Sequence, residues 1–208
     1  MPLGDVGWDL GACPNADGAA CTNMIANCGD VATCLTCIDE AAVDRVIDIA
    51  YAAFIPTDPR NPLEKAINKC QTRIVAAVTT SLAAKSIALA RCWNAVNTGQ
   101  ATGACATGDD EVASPMAKAE ARMLVAVCKA CGGTDRECGG ADDLTPPHIG
   151  FAPICSDVSP FGATSCAGAI ATLGDVVACV DCVTDYAVDC AARAAVPGLV
   201  AYPQECRP

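Results

Sequence analysis

The sequence predicts an all-α protein: a disulfide-stapled bundle of about four main helices, one of which is written twice. Three observations carry this. Seventeen cysteines stand among 208 residues, a density that marks a disulfide scaffold rather than a reduced intracellular chain. Apolar residues recur in steps of three and four, the period of a helix buried on one side, and no run alternates β-branched and polar residues as a strand does. Finally, GDVATCLTC at 29–37 returns as GDVVACVDC at 174–182.

The first element belongs to that repeat. Aligned without a gap, 21–46 and 166–191 match Cys21 to Cys166, Ile25 to Ile170, Gly29-Asp30 to Gly174-Asp175, Cys34 and Cys37 to Cys179 and Cys182, and Ala42-Val43-Asp44 to Ala187-Val188-Asp189. This is an internal duplication, with a period too long for a solenoid. Each copy reads as a helix with Asp30 or Asp175 as its N-terminal cap. The apolar stripe runs Val31, Leu35, Ile38, Ala42, Val46, Ile49 and Ala53 in the first copy. In the second it runs Val176, Val180, Val183, Ala187 and Ala191. The two cysteines of each copy lie one turn apart on the stripe's flank, facing a neighbouring helix and poorly placed to bond each other.

The next two helices are expected at about 62–97 and 115–131. Pro62 suits a first turn, where its missing amide costs nothing. Ile67, Val78 and Leu89 recur every eleven residues, as do Cys70, Ser81 and Cys92, a spacing that keeps a stripe nearly parallel to the axis. Cys70 and Cys92 share a face but lie about 33 Å apart, so each needs its own partner. Ser114 reads as the cap of the following helix, Pro115 as its first residue, and Gly132-Gly133 as its end. The last helix is the second copy. Loops rich in glycine, proline and aspartate join the elements, and nearly all carry a cysteine, so 1–208 reads as a single helical domain.

Charge and composition narrow the function. A formal net charge of −11 opposes nucleic-acid binding, which needs a basic face. The charge is uneven: 1–61 and 137–208 each carry nine acids and two bases, whereas 62–98 carry one acid and five bases. A basic central helix would pack favourably against both acidic copies, although single surface pairs contribute at most ~1 kcal/mol. No unbroken apolar run reaches the ~18–20 residues of a membrane span, so no span is expected and the protein reads as soluble. The opening MPLGDVGWDL shows neither a basic n-region nor an apolar h-region. With so many cysteines, a lost leader and an extracellular or cell-surface location are expected.

The cysteine motifs admit several chemistries. CLTC, CKAC and CVDC lack the histidine of a haem attachment site, and no sheet is present to support a thioredoxin-like site. CKACGG resembles a zinc knuckle, and Cys128, Cys131, Cys138 and Cys155 are the thiolate set to consider for zinc. Copper(I) storage is a related alternative, though it wants thiols inside helices rather than at their ends. The disulfide reading assigns structural roles to Cys21, Cys34, Cys37, Cys70, Cys92, Cys128, Cys131, Cys166, Cys179 and Cys182. His148 is the one histidine and has no nucleophile elbow to serve. Asp109-Asp110-Glu111 and Asp142-Asp143 lack the spacing of a calcium loop. Trp8 and Trp93 read as anchors of the core or of the loops covering it. No catalytic residue and no cofactor is expected; an enzyme of unrecognised class is the third alternative.

The stretches AAKSIALARCWNAV, AKAEARMLVAVCKACGG and the two GDV..C..C segments resemble secreted, cysteine-rich helical proteins of environmental bacteria, over most of 21–206. The resemblance implies a compartment and no activity. The expectation is a secreted or cell-surface module with about eight disulfides, acting by structure or binding, with an extracellular partner or by self-association. The odd cysteine leaves a thiol for a bridge between chains.

Overall fold

A computed structural model of the chain describes residues 2–14, 21–50, 55, 58, 60–102, 105 and 110–195. Four helices follow in order: α1 Cys28–Ala50, α2 Pro62–Asn97, α3 Asp110–Cys131 and α4 Leu173–Ala195, with 3-10 turns at Leu3–Val6 and Pro146–Ile149. Among the described residues, extended pairing is limited to the isolated bridges Ala12–Met24 and Ile154–Ala169.

α2 starts where a proline can start a helix. The Asn61 side chain accepts from the Leu63 amide at 3.0 Å and donates to Glu64 at 2.8 Å, while Pro62 fills the first turn. α2 and α3 lie antiparallel, joined at one end by Cys70–Cys131. At the other end Leu89 and Cys92 share a core cluster with Val112 and Met116. α4 closes the main core with Leu173, Val176, Val177, Val180, Val183 and Ala187, which join Ile74, Val78, Met123 and Val127. Each buried valine of this set contributes about 2 kcal/mol by its removal from water.

α1 packs antiparallel on α4. Cys34 and Ile38 cluster with Ala194, and the Arg45 guanidinium lies 5.4 Å from the Tyr186 ring centroid. The two copies therefore occupy different places, against the expectation that both dock on the central helices. α4 is the buried centre, packed by α2, α3 and α1, whereas α1 leans mainly on α4 and touches α2 slightly. The side chains of Val46 and Ile49, and residue Ala53, lie outside the described set.

Despite that difference, the two copies make matching local contacts. In each, a strand-like segment pairs ahead of the helix: Cys13 N donates to Asn23 O (2.9 Å) and Ile25 N to Gly11 O (3.0 Å), as Cys155 N does to Gly168 O (2.9 Å) and Ile170 N to Pro153 O (2.9 Å). The caps correct the sequence reading. Asp30 and Asp175 are the third residues of their helices, and their carboxylates reach back to the preceding amides, Ala26 (2.9 Å) and Asn27 (3.1 Å), Ala171 (3.0 Å) and Thr172 (2.8 Å). The cap residues are Asn27 and Thr172, whose side-chain oxygens accept from the Asp30 and Asp175 amides, both at 3.2 Å. This is a reciprocal capping box, with aspartate at the position more often held by glutamate.

A second correction concerns α3. It begins at Asp110, so Pro115 lies inside it rather than at its first position. Val112 is fully buried in the cluster holding Cys92, Cys105 and Met116. Burial of that extra turn outweighs the one backbone bond that Pro115 cannot donate. α2 also differs from expectation: by length and composition it is long and apolar enough to cross a membrane. A window average admits charges that an unbroken run does not, and here the apolar stripe of α2 is covered by α3 and α4.

Candidate functional site

Cys13–Cys34, Cys21–Cys37, Cys70–Cys131, Cys92–Cys105, Cys128–Cys138, Cys155–Cys179 and Cys166–Cys182 are disulfides, with Cα–Cα distances from 4.9 to 5.8 Å, inside the range the bond requires. One joins helix to helix, Cys70–Cys131; the other six pin a loop to a helix. In both copies the flanking cysteines face the loop ahead of their own helix, not a neighbouring helix as the spacing implied, because that loop folds back along the first three turns. Cys190 is disulfide-bonded as well, and Cys28 is free and exposed. All ten cysteines given structural roles above lie in these bridges. Cys13, Cys105, Cys138 and Cys155, all in loops, complete the seven pairs.

The four sulfurs considered for zinc go to three destinations: Cys128 and Cys138 to each other, Cys131 to Cys70, and Cys155 to Cys179. A disulfide sulfur is not a thiolate ligand. Among the described residues, no three His, Cys, Asp or Glu side chains are grouped to hold a metal ion. The glycines of CKACGG serve close packing: a Cβ on Gly132 would lie 2.1 Å from the Glu137 carbonyl oxygen, and one on Gly133 2.2 Å from the Asp142 carboxylate. Asp142 accepts from the Thr134 amide (2.8 Å) and hydroxyl (2.7 Å), which hold its carboxyl below the ordinary value. Asp143 accepts from the Gly139 amide at 2.8 Å. These acids bind loop backbone. Asp109 and the side chains of Asp110 and Glu111 lie outside the described set, and His148 is exposed on its 3-10 turn.

Sequence reasoning missed an ion triad built around a buried lysine. Lys85 of α2 is 1% exposed, and its Nζ lies 2.6 Å from Asp181 Oδ1 and 2.5 Å from Asp185 Oδ1, both on α4. Burial pushes the Asp185 carboxyl up to about 6; Lys85 opposes that rise, while Asp181 and Glu120 add to it. Two acids thus share one ammonium between the helices that make the core. The expected attraction between the basic helix and its acidic neighbours takes this form at α4.

Two concavities run along the α2–α3 seam. The wider, about 600 Å³, is lined by Lys69, Arg73, Lys129 and Arg136 together with Asn68 and Thr72. The narrower, about 240 Å³, continues from Arg73 past Ala77, Ser81 and Ala84 on α2, and past Ala119, Arg122 and Met123 on α3. Both share Arg73, Ala76 and Ala126, so they form one groove. Alanines from both helices line it, among them Ala76, Ala77, Ala84, Ala119, Ala126 and Ala130. The signal in the sequence was the surplus of bases at 62–98, but the bases of α3 that face them could not be paired with it before the register was known.

A chain with seven disulfides among its described residues fits an oxidising compartment. Comparison with family models, with curated proteins and with solved structures finds no match.

Proposed function

We propose that the protein is a secreted or cell-surface helical module, built on two copies of one loop–helix unit, that works by binding or by structure and not by catalysis. The observation that carries this reading is the distribution of sulfur. Six bridges among the described residues pin loops onto helices and the seventh joins α2 to α3, which accounts for fourteen of the seventeen cysteines as architecture. Asp30, Asp175 and Asn61 serve helix starts, Asp142 and Asp143 hold a loop turn, and Asp181 and Asp185 share Lys85. The partner is an extracellular component or a second copy of the chain, and Cys28 offers a sulfur for a bridge between chains.

Alkylation of the denatured, unreduced protein followed by peptide mass mapping tests the reading. Cys28 should be labelled, and the fourteen sulfurs of the seven disulfides should not. Labelling at most of those fourteen, or stoichiometric zinc or copper in protein prepared without chelator, would overturn it.

A further inference from the structure

The α2–α3 groove is basic on an acidic chain and holds an unpaired buried hydroxyl. The chain carries a formal net charge of −11, yet the groove is lined by Lys69, Arg73, Arg122, Lys129 and Arg136, with no carboxylate among its lining residues. The cations are spread along the groove rather than gathered at one end, since Arg122 lines the narrow part and Lys69, Lys129 and Arg136 the wide part. Ser81 supplies the independent observation. It is 2% exposed, lines the narrow part, and its hydroxyl has no hydrogen-bond partner. A helical hydroxyl commonly bonds the carbonyl four residues back, as Thr79 and Thr80 do at 2.9 and 2.7 Å. Ser81 does not, which leaves a donor inside the groove.

We propose that this groove binds an extended acidic peptide of a partner protein, with carboxylates at alternate positions and small side chains between them. The inference rests on the reading of the protein as a binding module. Lys69 and Arg73 are one helical turn apart, which sets their side chains about 6 Å from one another. Alternate side chains of an extended chain repeat at about 6.6 Å, so two successive carboxylates match Lys69 and Arg73, with Arg122 and Lys129 on the facing wall. The alanine lining admits small side chains and close approach of the peptide backbone, whose carbonyls give the Ser81 hydroxyl an acceptor. An acyl-chain anion places charge at one end only and offers Ser81 nothing. A helix, about 10 Å across, is too wide for a cleft of about 240 Å³ that runs about 16 Å from Arg73 to Ala84 at about 1.5 Å per residue.

The test is calorimetric titration of the intact, oxidised protein with an acetylated, amidated (Glu-Ala)₄ peptide. The expected result is 1:1 binding that weakens steeply with salt. Arg73→Glu and Lys129→Glu should each weaken it at least tenfold, Ala126→Trp should abolish it, and Ser81→Ala should weaken it several-fold. Arg91→Glu, an exposed cation outside the groove, should leave it unchanged. Circular dichroism and thiol mapping of each variant separate loss of binding from loss of fold. Three results overturn the proposal: no binding by protein whose seven disulfides are verified, equal binding by the Arg73→Glu and Lys129→Glu variants once shown folded, or capture of dodecanoate in place of the peptide. The first would leave the stapled-module reading standing; free thiols in the mapping would remove that reading instead.

Discussion

Lowering the pH from 7 to 4 should make this protein more stable, the reverse of ordinary acid destabilisation. The cause is Asp185, whose carboxyl is pushed from 3.8 to about 6 by burial beside Asp181. Between those values the native chain binds more protons than the unfolded chain, so stability falls as pH rises through the window and the whole loss is present above pH 6. A shift of this size corresponds to about 3 kcal/mol. Because the Asp185 side chain keeps 23% of its exposure, water screens part of this, and about 2 kcal/mol is expected. Asp39, also raised by burial, acts in the same direction. Asp142 and Asp175 are lowered by their hydrogen bonds, so the stability they add is lost only below pH 3.8. Guanidinium unfolding without reductant, followed by circular dichroism at half-unit steps of pH, measures the effect. Asp185→Asn, which keeps an acceptor for Lys85, should flatten the profile and raise stability at pH 7 by a similar amount. A flat wild-type profile, or one rising from pH 4 to 6, would refute the argument.

Lys85→Met should destabilise by about 2–3 kcal/mol at pH 7, because it leaves two partly buried carboxylates without their cation while water screens part of the loss; the loss should shrink as Asp185 is protonated, which the same titration reads. Replacing Cys70 and Cys131 together by serine opens a loop of 61 residues and should cost about 4 kcal/mol by the chain-entropy relation, seen as a lower denaturation midpoint. Gly132→Ala drives a Cβ against the Glu137 carbonyl, a backbone group that cannot swing aside as a side chain would. It should cost about 1–3 kcal/mol, read from the same denaturation midpoint. Oxidised in air, the protein should give a doubled band on a non-reducing gel that Cys28→Ser removes; a doubled band surviving that change would place the link elsewhere.

α2 was legible almost to the residue, because Pro62 marks its start and its apolar stripe keeps an eleven-residue period. α3 was read too short: Ser114-Pro115 is a strong local signal, but Val112 is buried against the Cys92–Cys105 disulfide, whose sulfurs are 13 residues apart in sequence. That contact is tertiary, and it decides the boundary. The repeat was visible as letters, yet nothing in it said that Leu173 would be buried while its counterpart Cys28 is exposed; that follows from which copy meets α2 and α3. Lys85 looked like one base among several. Only the register of α2 on α4 brings it to Asp181 and Asp185, just as only the register of α2 on α3 gathers Lys69, Arg73, Arg122, Lys129 and Arg136 along one groove.

The bridges also change what a single cut in the backbone means. The Cys92–Cys105 ring lies wholly inside the Cys70–Cys131 ring, and the spans of Cys13–Cys34 and Cys21–Cys37 overlap. One peptide bond hydrolysed within any of these circuits frees no fragment, and the severed ends stay within reach of their old neighbours. In surroundings crowded with hydrolases, such a chain can be nicked and stay in one piece until a second cut falls between the same pair of sulfurs.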